Sequence, residues 1–190
     1  ETELELAREW HYRNCEKSLH RLVNAYMRLA ISMATKYSRY GVDNTELIQE
    51  AGVGLMKAAK KFDPERGVRF STYATWWIKA SIQDFVLRNW SLVRTGSTAS
   101  QKSLFFNFKR VKSKLEREVE KSGASVDYGS LNSMIAEQMG VPLRDVEMME
   151  SRLMGSDFSL NSLQQNEEGR EWIETLEDEK PIGADSVDKK

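Results

Sequence analysis

The sequence predicts an all-α protein, and three observations lead to that fold class. Apolar residues recur at three- and four-residue steps in one segment after another, which is the period of an amphipathic helix. Gly41, the Asp63-Pro64 pair and Gly123 interrupt these segments where helices commonly end. After Gly155 the periodicity fades into a polar, acidic stretch. We therefore expect a helical bundle, then a small three-helix unit of helix-turn-helix type, and finally an extended or disordered acidic linker.

The first three helices follow one another closely along the chain. Residues 3–14 predict a short helix, and an apolar stripe from Leu19 to Tyr37 predicts a longer one that ends at Gly41. Asp43 or Asn44 is expected to cap the third helix, because either side chain can accept a hydrogen bond from a free N–H of the first turn. That helix is expected to end at the Asp-Pro pair.

A fourth helix is expected after the turn at residues 64–67, with Ser71 or Thr72 as its cap. Its large apolar positions lie at helical spacing: Tyr73, Trp76, Trp77, Ile78, Ile82, Phe85 and Val86. Residues 90–100 are rich in Ser, Thr and Gly. They predict a connector between two helical units.

Three more helices are predicted in the second half of the chain. One is rich in Lys and Arg, ends near Gly123 and has an apolar stripe formed by Leu104, Phe105, Phe108, Val111 and Leu115. Two short helices, at residues 131–139 and 142–153, meet at Gly140. This pair is typical of a helix-turn-helix, and a helical hairpin packed only for structure has the same pattern.

Composition narrows the class of protein. A chain of 190 residues that is 40% hydrophobic and 30% charged can bury a core, either as one domain or as two small helical units. Cys15 is the only cysteine, and His11 and His20 are the only histidines, so we expect no disulfide framework, no metal site and no cofactor. No apolar run reaches the roughly 20 residues that span a bilayer, and no leader pattern is present. We expect a cytoplasmic protein.

Charge is distributed unevenly along the chain. Residues 57–121 carry 15 Lys and Arg against 6 Asp and Glu, whereas residues 156–190 carry 4 against 10. The basic centre suits a nucleic-acid backbone, because each neutralised phosphate releases condensed counterions. Ordinary solvated helix faces would give the same composition.

Residues 69–79 combine aromatic and basic side chains. On a helix Tyr73 lies beside Trp76 and Trp77, and the cations Arg69, Lys79 and Arg88 are interleaved with the rings. Flat rings with nearby cations are what single-stranded nucleic acid requires. Aromatic residues at helical spacing also commonly belong to a protein core. The apolar stripe on the same helix already supplies core residues, which leaves a surplus of large rings that it need not bury.

Several strings resemble a known family. FSTYATWWI, at residues 70–78, resembles the segment with which primary-type bacterial sigma factors melt and read the minus-ten promoter element. ELIQE at 46–50 and GLMKA at 54–58 resemble the polymerase-binding helix of these proteins. Residues 101–109 resemble the box that distinguishes heat-shock from housekeeping sigma factors. The chain is identified as a member of the sigma-70 family, closest to the heat-shock sigma factors.

The resemblance implies DNA contacts on the fourth helix. The positions that match the capture of a flipped adenine and the support of separated strands are Phe70, Thr72, Tyr73, Trp76 and Trp77. Lys79, Ala80 and Gln83 match the face that reads the upstream edge of the element. Ala80 has no hydrogen-bonding side chain, so readout there should differ from that of the housekeeping type. Melting would need no ATP, because it is driven by preferential binding of open DNA.

The resemblance also implies contacts with core RNA polymerase. The positions that match the helix gripping the clamp helices of the β′ subunit are Glu46, Gln49, Glu50 and Met56. In the box, Gln101, Phe105 and Phe106 are expected to bind polymerase as well. We expect the box to be exposed. The resemblance and the apolar run at residues 104–106 make the box, or alternatively the stretch near Ala51-Gly52, a candidate contact for chaperones or a regulatory protease.

Three domains follow from the resemblance. Residues 1–95 match regions 1.2 and 2, residues 96–155 match region 3, which binds DNA upstream of the minus-ten element, and residues 156–190 match the linker that enters the active-site cleft of polymerase. The family's fourth region, which reads the minus-thirty-five element, is absent from these residues. The sequence also begins at Glu1 without an initiator methionine, so we expect a piece of a longer protein.

The predicted function is promoter-specific transcription initiation by a non-enzymatic sigma factor, with heat-shock genes as its targets. Two other classes compete with it. A base-flipping glycosylase or nuclease would need catalytic groups, and no His or Cys lies near the aromatic cluster. A helix-turn-helix repressor would read closed duplex through residues 131–153. Within the family, the alternative is a general-stress or other alternative sigma factor.

Overall fold

The structure is a computed structural model that describes residues 3–93, 98–121, 128–155, 157–164 and 169–176. Across those ranges it contains helices and one isolated β-bridge, and the all-α fold class is confirmed. The α-helices are α1 (Glu3–Arg13), α2 (Glu16–Thr35), α3 (Asn44–Lys61), α4 (Phe70–Asn89), α5 (Ala99–Lys121), α6 (Tyr128–Met139) and α7 (Leu143–Met154). No helix among the described residues is long and apolar enough to cross a membrane.

Helices α1 to α4 form a bundle in which α3 packs against both α2 and α4. The fully buried side chains at its centre are Leu22, Leu47, Leu55, Phe70, Ile78, Ile82 and Val86. Gly54 lets α3 approach α4 closely, since a Cβ at that position would lie 2.9 Å from the Cα of Ile78 and 2.9 Å from the carbonyl oxygen of Trp77. The helix carrying the aromatic residues is therefore fixed along its inner side.

Most helix boundaries agree with the sequence predictions. After α2 a short 3₁₀ helix, Ser38–Tyr40, ends at Gly41, whose φ of 77° is the left-handed conformation that glycine adopts readily. Asp43 is the N-cap residue of α3, although its side chain makes no capping hydrogen bond. The expected cap of α4 by Ser71 or Thr72 is wrong, because α4 begins at Phe70.

The reason for the earlier start of α4 lies in α1. Arg69 occupies the N-cap position of α4 and makes no capping hydrogen bond with its side chain. The backbone N–H of Phe70 instead donates to Oε1 of Glu3 at 2.6 Å. A free N–H at a helix N-terminus needs an acceptor, and here a distant carboxylate supplies it. No local sequence pattern signals such a cap.

Helices α5, α6 and α7 are joined by a partly buried polar network. Lys112 of α5 forms an ion pair of 2.5 Å with Glu150 of α7, and Nδ2 of Asn132 in α6 donates to the same carboxylate at 2.6 Å. Gly140, with a φ of 64°, separates α6 from α7, as the sequence predicts. The predicted end of α5 near Gly123 lies outside the described residues.

The chain divides into two compact units, residues 1–150 and 151–190. The second unit has more local structure than its sequence predicts. An antiparallel bridge joins Leu163 to Glu171, a 3₁₀ helix follows at Trp172–Thr175, and the rings of Phe158 and Trp172 meet at 5.6 Å. The last part of the predicted linker, residues 177–190, lies outside the described residues, and the division predicted at residues 95 and 96 stays a prediction.

Candidate nucleic-acid interface

Helix α4 presents two adjacent rows of side chains away from its buried stripe. The outer row consists of Thr72, Trp76, Lys79 and Gln83, and the inner row of Tyr73, Trp77, Ala80, Asp84 and Arg88. Members of each row are three or four residues apart and therefore share a helix face. The buried stripe, which holds the helix in the bundle, consists of Phe70, Ala74, Ile78, Ile82 and Val86.

The outer row carries the most exposed aromatic ring of α4. The indole of Trp76 is 71% exposed, and Thr72 and Lys79 are exposed beside it, while Gln83 is half-buried. An exposed tryptophan does nothing for the core, so the interpretation of these aromatics as core residues is wrong for Trp76. The row places a ring face next to a cation, as stacking on a base near a phosphate requires.

The inner row begins with two half-buried rings that α3 holds in place. The Tyr73 ring lies 5.6 Å from that of Phe62 and 6.2 Å from that of Trp77. The Tyr73 hydroxyl donates to the carbonyl oxygen of Lys61 at 3.3 Å, and Nζ of Lys61 lies 4.7 Å from the centroid of the Trp77 ring. Tyr73 is therefore held by the C-terminal end of α3 and by Phe62, and Trp77 has a cation over its ring.

Phe70 differs from the other residues predicted to contact DNA. Its side chain is fully buried, with its ring 5.0 Å from that of Tyr26 and 5.2 Å from that of Phe62. The ring has no face open to a base in this structure, because the edge-to-face contacts enclose it. Phe70 supports Tyr73 through Phe62, which both rings contact.

Arg69 lies exposed at the start of α4 and pairs with α1. Its guanidinium is 3.0 Å from the carboxylate of Glu3, which also accepts a hydrogen bond from the Tyr26 hydroxyl. Burial raises the pKa of Glu3, but the hydrogen bonds from Tyr26, from the Phe70 N–H and from Arg69 outweigh it and hold that pKa below its ordinary value. Glu3 is therefore a charged acceptor at the end of α4 that carries the aromatic residues.

A cleft of about 380 Å³ lies beside the C-terminal half of the two rows. Its lining comes from three helices: Lys57 of α3, Trp77, Ala80, Ser81, Gln83 and Asp84 of α4, and Lys102 and Phe106 of α5. Asp84 forms ion pairs of 3.2 Å with Lys102 and 3.1 Å with Arg88. The cleft thus combines an aromatic wall, lysines and one carboxylate that binds two cations.

The box on α5 packs against the rest of the bundle, and the expectation that it is exposed is wrong for three of its apolar side chains. Leu104, Phe105 and Phe108 are buried, and Phe106 is half-buried. The Phe105 ring stacks on that of Tyr40 at 5.5 Å and meets that of Trp90 at 5.1 Å. These contacts remove the rings from water and fasten α5 to the segment after α2 and to the end of α4.

Phe106 completes this cluster, which we call the aromatic dock and define as Tyr37, Tyr40, Trp90, Phe105 and Phe106. Its ring is 6.0 Å from that of Tyr37 and 5.4 Å from that of Tyr40. Burial raises the pKa of Tyr37, and a hydrogen bond with Gln83 of the outer row partly offsets that rise. Sequence reasoning missed the roles of Tyr37, Tyr40 and Trp90, whose only signal is aromatic residues bordering two predicted turns.

The residues predicted to bind polymerase on α3 share the face opposite its buried stripe. Glu46 and Gln49 are exposed, while Glu50 and Met56 are half-buried. Val53 was not predicted to contribute, yet it is exposed on the same face, seven residues after Glu46. The helical period was the signal that could have found it. Gln101, predicted to bind polymerase from the box, is half-buried near the start of α5.

Comparison with known proteins now defines the class. A family model described as Sigma-70 region 2 matches residues 22–92, which contain most of α2, all of α3 and α4, and both the outer and the inner row. The chain belongs to the sigma-70 family of RNA polymerase sigma factors. In the part of the chain that the structure describes, no three His, Cys, Asp or Glu side chains gather in a way that could hold a metal ion.

The similar relatives include factors named RpoH. The chain is 40% identical over 188 residues to RNA polymerase sigma factor RpoH of Caulobacter vibrioides, which covers 97% of this chain and 61% of that protein. It is 44% identical over 166 residues to RpoH of Rhizobium radiobacter, covering 84% of this chain and 52% of the relative. It is also 41% identical over 169 residues to the sigma-C factor of Myxococcus xanthus, covering 88% and 56%. The chain spans about three fifths of the length of the first of these relatives.

Proposed function

We propose that this chain binds core RNA polymerase and directs promoter-specific initiation by holding the melted minus-ten element against α4. One observation carries the proposal. The exposed Trp76 side chain lies one turn before Lys79, on a helix whose opposite face is buried in the bundle. A rigid helix with an exposed ring and a cation is a stacking site that is built before DNA arrives. The sigma-70 region 2 match over the same residues supports it.

The mechanism is capture of open DNA. Unpairing and flipping a base costs a few kcal/mol. Stacking of bases on aromatic side chains returns about 1–3 kcal/mol for each base. We propose that Lys61, Lys79 and Arg69 bind the phosphates between these bases, with Arg69 exchanging its ion pair with Glu3 for a phosphate. Because the rings can bind only unstacked bases, the protein favours the open state without a catalytic step. We therefore propose a binding protein and not an enzyme.

Polymerase binding is assigned to the exposed face of α3. Glu46, Gln49, Glu50 and Met56 lie on it, and Val53 adds an exposed apolar side chain among them. A mixed acidic and apolar helix face suits a helical partner such as the clamp helices of the β′ subunit. Since the outer and inner rows lie on α4, a different helix of the same bundle, one unit can bind polymerase and DNA together.

The similar relatives suggest which genes this chain acts on and where in the cell it acts. Factors named RpoH match this chain over most of its length, so we propose heat-shock genes as targets and the cytoplasm, where core polymerase acts, as the location. Chaperones or a regulatory protease remain proposed partners of the box. Because Leu104 and Phe105 are buried, such a partner would have to bind after α5 has left the aromatic dock.

The repressor alternative is disfavoured by charge. Residues 128–154, which include α6 and α7, carry four acidic side chains, Glu137, Asp145, Glu147 and Glu150, against the two basic ones Arg144 and Arg152. A recognition helix in a major groove needs a positive face, because phosphate contacts supply most of its affinity. A closed-duplex reader built on these two helices would have the opposite charge.

Fluorescence anisotropy of a labelled non-template minus-ten oligonucleotide tests the proposal, with this chain added in the presence and absence of core RNA polymerase. Trp76→Ala and Tyr73→Ala should each weaken polymerase-dependent binding by about 1–3 kcal/mol, which is roughly 5- to 150-fold. Binding that ignores both substitutions, or that is absent with polymerase, would refute the proposal.

A matched control separates stacking from a general effect of losing an aromatic ring. Tyr12 of α1 is 64% exposed, close to the 71% of Trp76. Tyr12→Ala should leave binding of the minus-ten oligonucleotide unchanged. Because Tyr73 also packs on Phe62, circular dichroism of Tyr73→Ala must show retained helix content before its binding is compared.

A further inference from the structure

Asp84, in the inner row of α4, carries a negative charge that repels the phosphates of DNA. It lines the cleft beside Ala80 and Gln83, the positions that match the reader of the upstream edge of the minus-ten element. Its two carboxylate oxygens hold different cations: Oδ1 is 3.2 Å from Nζ of Lys102, and Oδ2 is 3.1 Å from Nη2 of Arg88. One acidic side chain on α4 thus binds a cation from its own helix and a second from the box helix α5.

The two ion pairs of Asp84 are exposed to water and are therefore weak. The side chains of Asp84, Lys102 and Arg88 are each about half-exposed. Ion pairs in such positions contribute roughly 0–1 kcal/mol to stability, so holding the fold together is a poor explanation for the arrangement. The pairs nevertheless compete directly with phosphates for the same two cations.

We propose that Asp84 is a specificity-determining residue that withholds Lys102 and Arg88 from the phosphates of DNA lacking a minus-ten element. The inference rests on the proposed function, since it concerns the same surface of α4. Binding to such DNA derives almost all its affinity from phosphate contacts. Binding to the correct element adds stacking on Trp76 and its neighbours.

Specificity is a difference between two binding free energies, so it changes only if the two complexes lose unequally. The unpaired strand is held by Trp76 on the outer row, whereas Arg88 lies on the inner row and Lys102 lines the cleft. The withheld contacts therefore weaken the complex with closed duplex more than the complex with the melted element.

Lys102 brings the box to the proposed DNA-binding surface. Lys102 and Phe106 reach the cleft from α5, and the aromatic dock holds that helix against the end of α4. The box therefore forms one wall of the surface that faces DNA and carries a cation whose availability Asp84 controls.

The experiment compares Asp84→Asn with the unaltered chain, each bound to core RNA polymerase. Two probes are used: a duplex without a minus-ten element, and a fork junction that carries the element with its non-template strand unpaired. Dissociation constants are measured from about 0.05 to 0.2 M salt. Each cation released to a phosphate should steepen the slope of log K against log salt by about 0.9, so the duplex slope should steepen by about 1–2.

The two probes should respond differently. With Asp84→Asn, duplex affinity at 0.1 M salt should rise about 8-fold for each phosphate gained, as follows from the same slope. Affinity for the fork junction should rise by less, so the ratio of specific to non-specific binding falls. An unchanged duplex slope, or an equal rise for both probes, would overturn the inference.

Two further variants identify the origin of the effect. Glu65→Gln removes the same charge from a side chain that is 52% exposed, against 51% for Asp84, and that also pairs with an arginine, Arg8. It should leave the duplex slope unchanged, which excludes a mere change in net charge. Adding Lys102→Gln to Asp84→Asn should reverse about half of the steepening.

The outcomes also separate this inference from the proposed function. If the unaltered complex fails to bind the fork junction more tightly than the duplex, the proposed function fails. If it does discriminate and Asp84→Asn behaves like the unaltered chain, only the role of Asp84 fails.

Discussion

The carboxylate of Glu3 accepts a hydrogen bond from the backbone N–H of Phe70 at 2.6 Å, across 67 positions of sequence. Its other oxygen accepts from the Tyr26 hydroxyl and pairs with Arg69 at 3.0 Å. One residue of α1 thus caps α4, fixes the cation beside it and bonds to α2. The first helix of the chain positions the helix that carries the aromatic rows.

Glu3→Gln should lower the free energy of unfolding at neutral pH by about 1–2 kcal/mol, because the neutral amide is a weaker cap and cannot pair with Arg69. The pKa of Glu3 lies below its ordinary value in the folded chain. Its contribution is therefore complete above the pKa of an unfolded glutamate and is lost as pH falls through the lower folded value.

Urea unfolding at several pH values checks this prediction. The difference between Glu3→Gln and the unaltered chain should shrink as the solution becomes acidic. Glu137→Gln, at an exposed position of α6, is the control and should change stability little at any pH. A difference that stays constant down to the lowest pH would show that the charge of Glu3 is irrelevant.

Two glycines of α3 give a matched pair. Gly54→Ala should destabilise the bundle by about 1–3 kcal/mol, because the new methyl group would overlap the backbone of α4 near Ile78. Gly52→Ala meets nothing within 4 Å and should be neutral or stabilise by up to about 1 kcal/mol, since alanine favours helix. Thermal unfolding followed by circular dichroism distinguishes them, and equal effects would contradict the close approach of α3 and α4.

The aromatic residues of α4 should separate into two functional groups. Phe70→Ala should cost about 3–5 kcal/mol of stability, because the buried ring leaves a cavity between Tyr26 and Phe62. Trp76→Ala should cost less than about 0.5 kcal/mol, as expected of an exposed position. Denaturant titration measures both values. A large loss of stability in Trp76→Ala would place its ring in the core.

The polar network among α5, α6 and α7 should be sensitive to Glu150. Hydrogen bonds from Lys112 and then from Asn132 lower the pKa of Glu150 despite its partial burial. Glu150→Ala leaves both donors without this acceptor and should cost about 1–3 kcal/mol at neutral pH, with the cost declining as the solution becomes acidic. Glu147→Ala, exposed on the same helix, provides the comparison in thermal unfolding. Similar melting temperatures for the two variants would contradict the network.

The stacked rings of Tyr40 and Phe105 should be energetically coupled. A double-mutant cycle with Tyr40→Leu and Phe105→Leu should give a coupling of about 0.5–1.5 kcal/mol in urea unfolding. Tyr12, exposed on α1, serves as the control, and a cycle of Tyr12→Leu with Phe105→Leu should give a value near zero. Absence of coupling in the first cycle would mean that α5 is not held by this contact.

Local features were predictable because their causes are local. Gly41 and Gly140 end helices where the sequence places them, since a left-handed φ is a property of the single residue. Ile78, Ile82 and Val86 of the buried stripe of α4 follow from the helical period, whereas the same period did not distinguish them from Trp76, which is exposed. The aromatic candidates were therefore found before their geometry was known.

Features that depend on distant partners were not predictable. The cap of α4 comes from Glu3, and the residues that enclose Phe105 come from the 3₁₀ helix after α2 and from the end of α4. The sequence shows an apolar box but does not show which surface receives it, so exposure was expected where burial is found. The ion pairs of Asp84 belong to the same class, because Lys102 lies 18 residues away on another helix.

The burial of Leu104 and Phe105 limits how the proposed chaperone or protease could act. If such a partner binds either side chain, it can act only on molecules whose α5 has left the aromatic dock, so its rate is scaled by the fraction of such molecules. Any ligand that holds α4 and α5 together reduces that fraction. Molecules engaged at a promoter would then be turned over slowly, while idle ones would be cleared first.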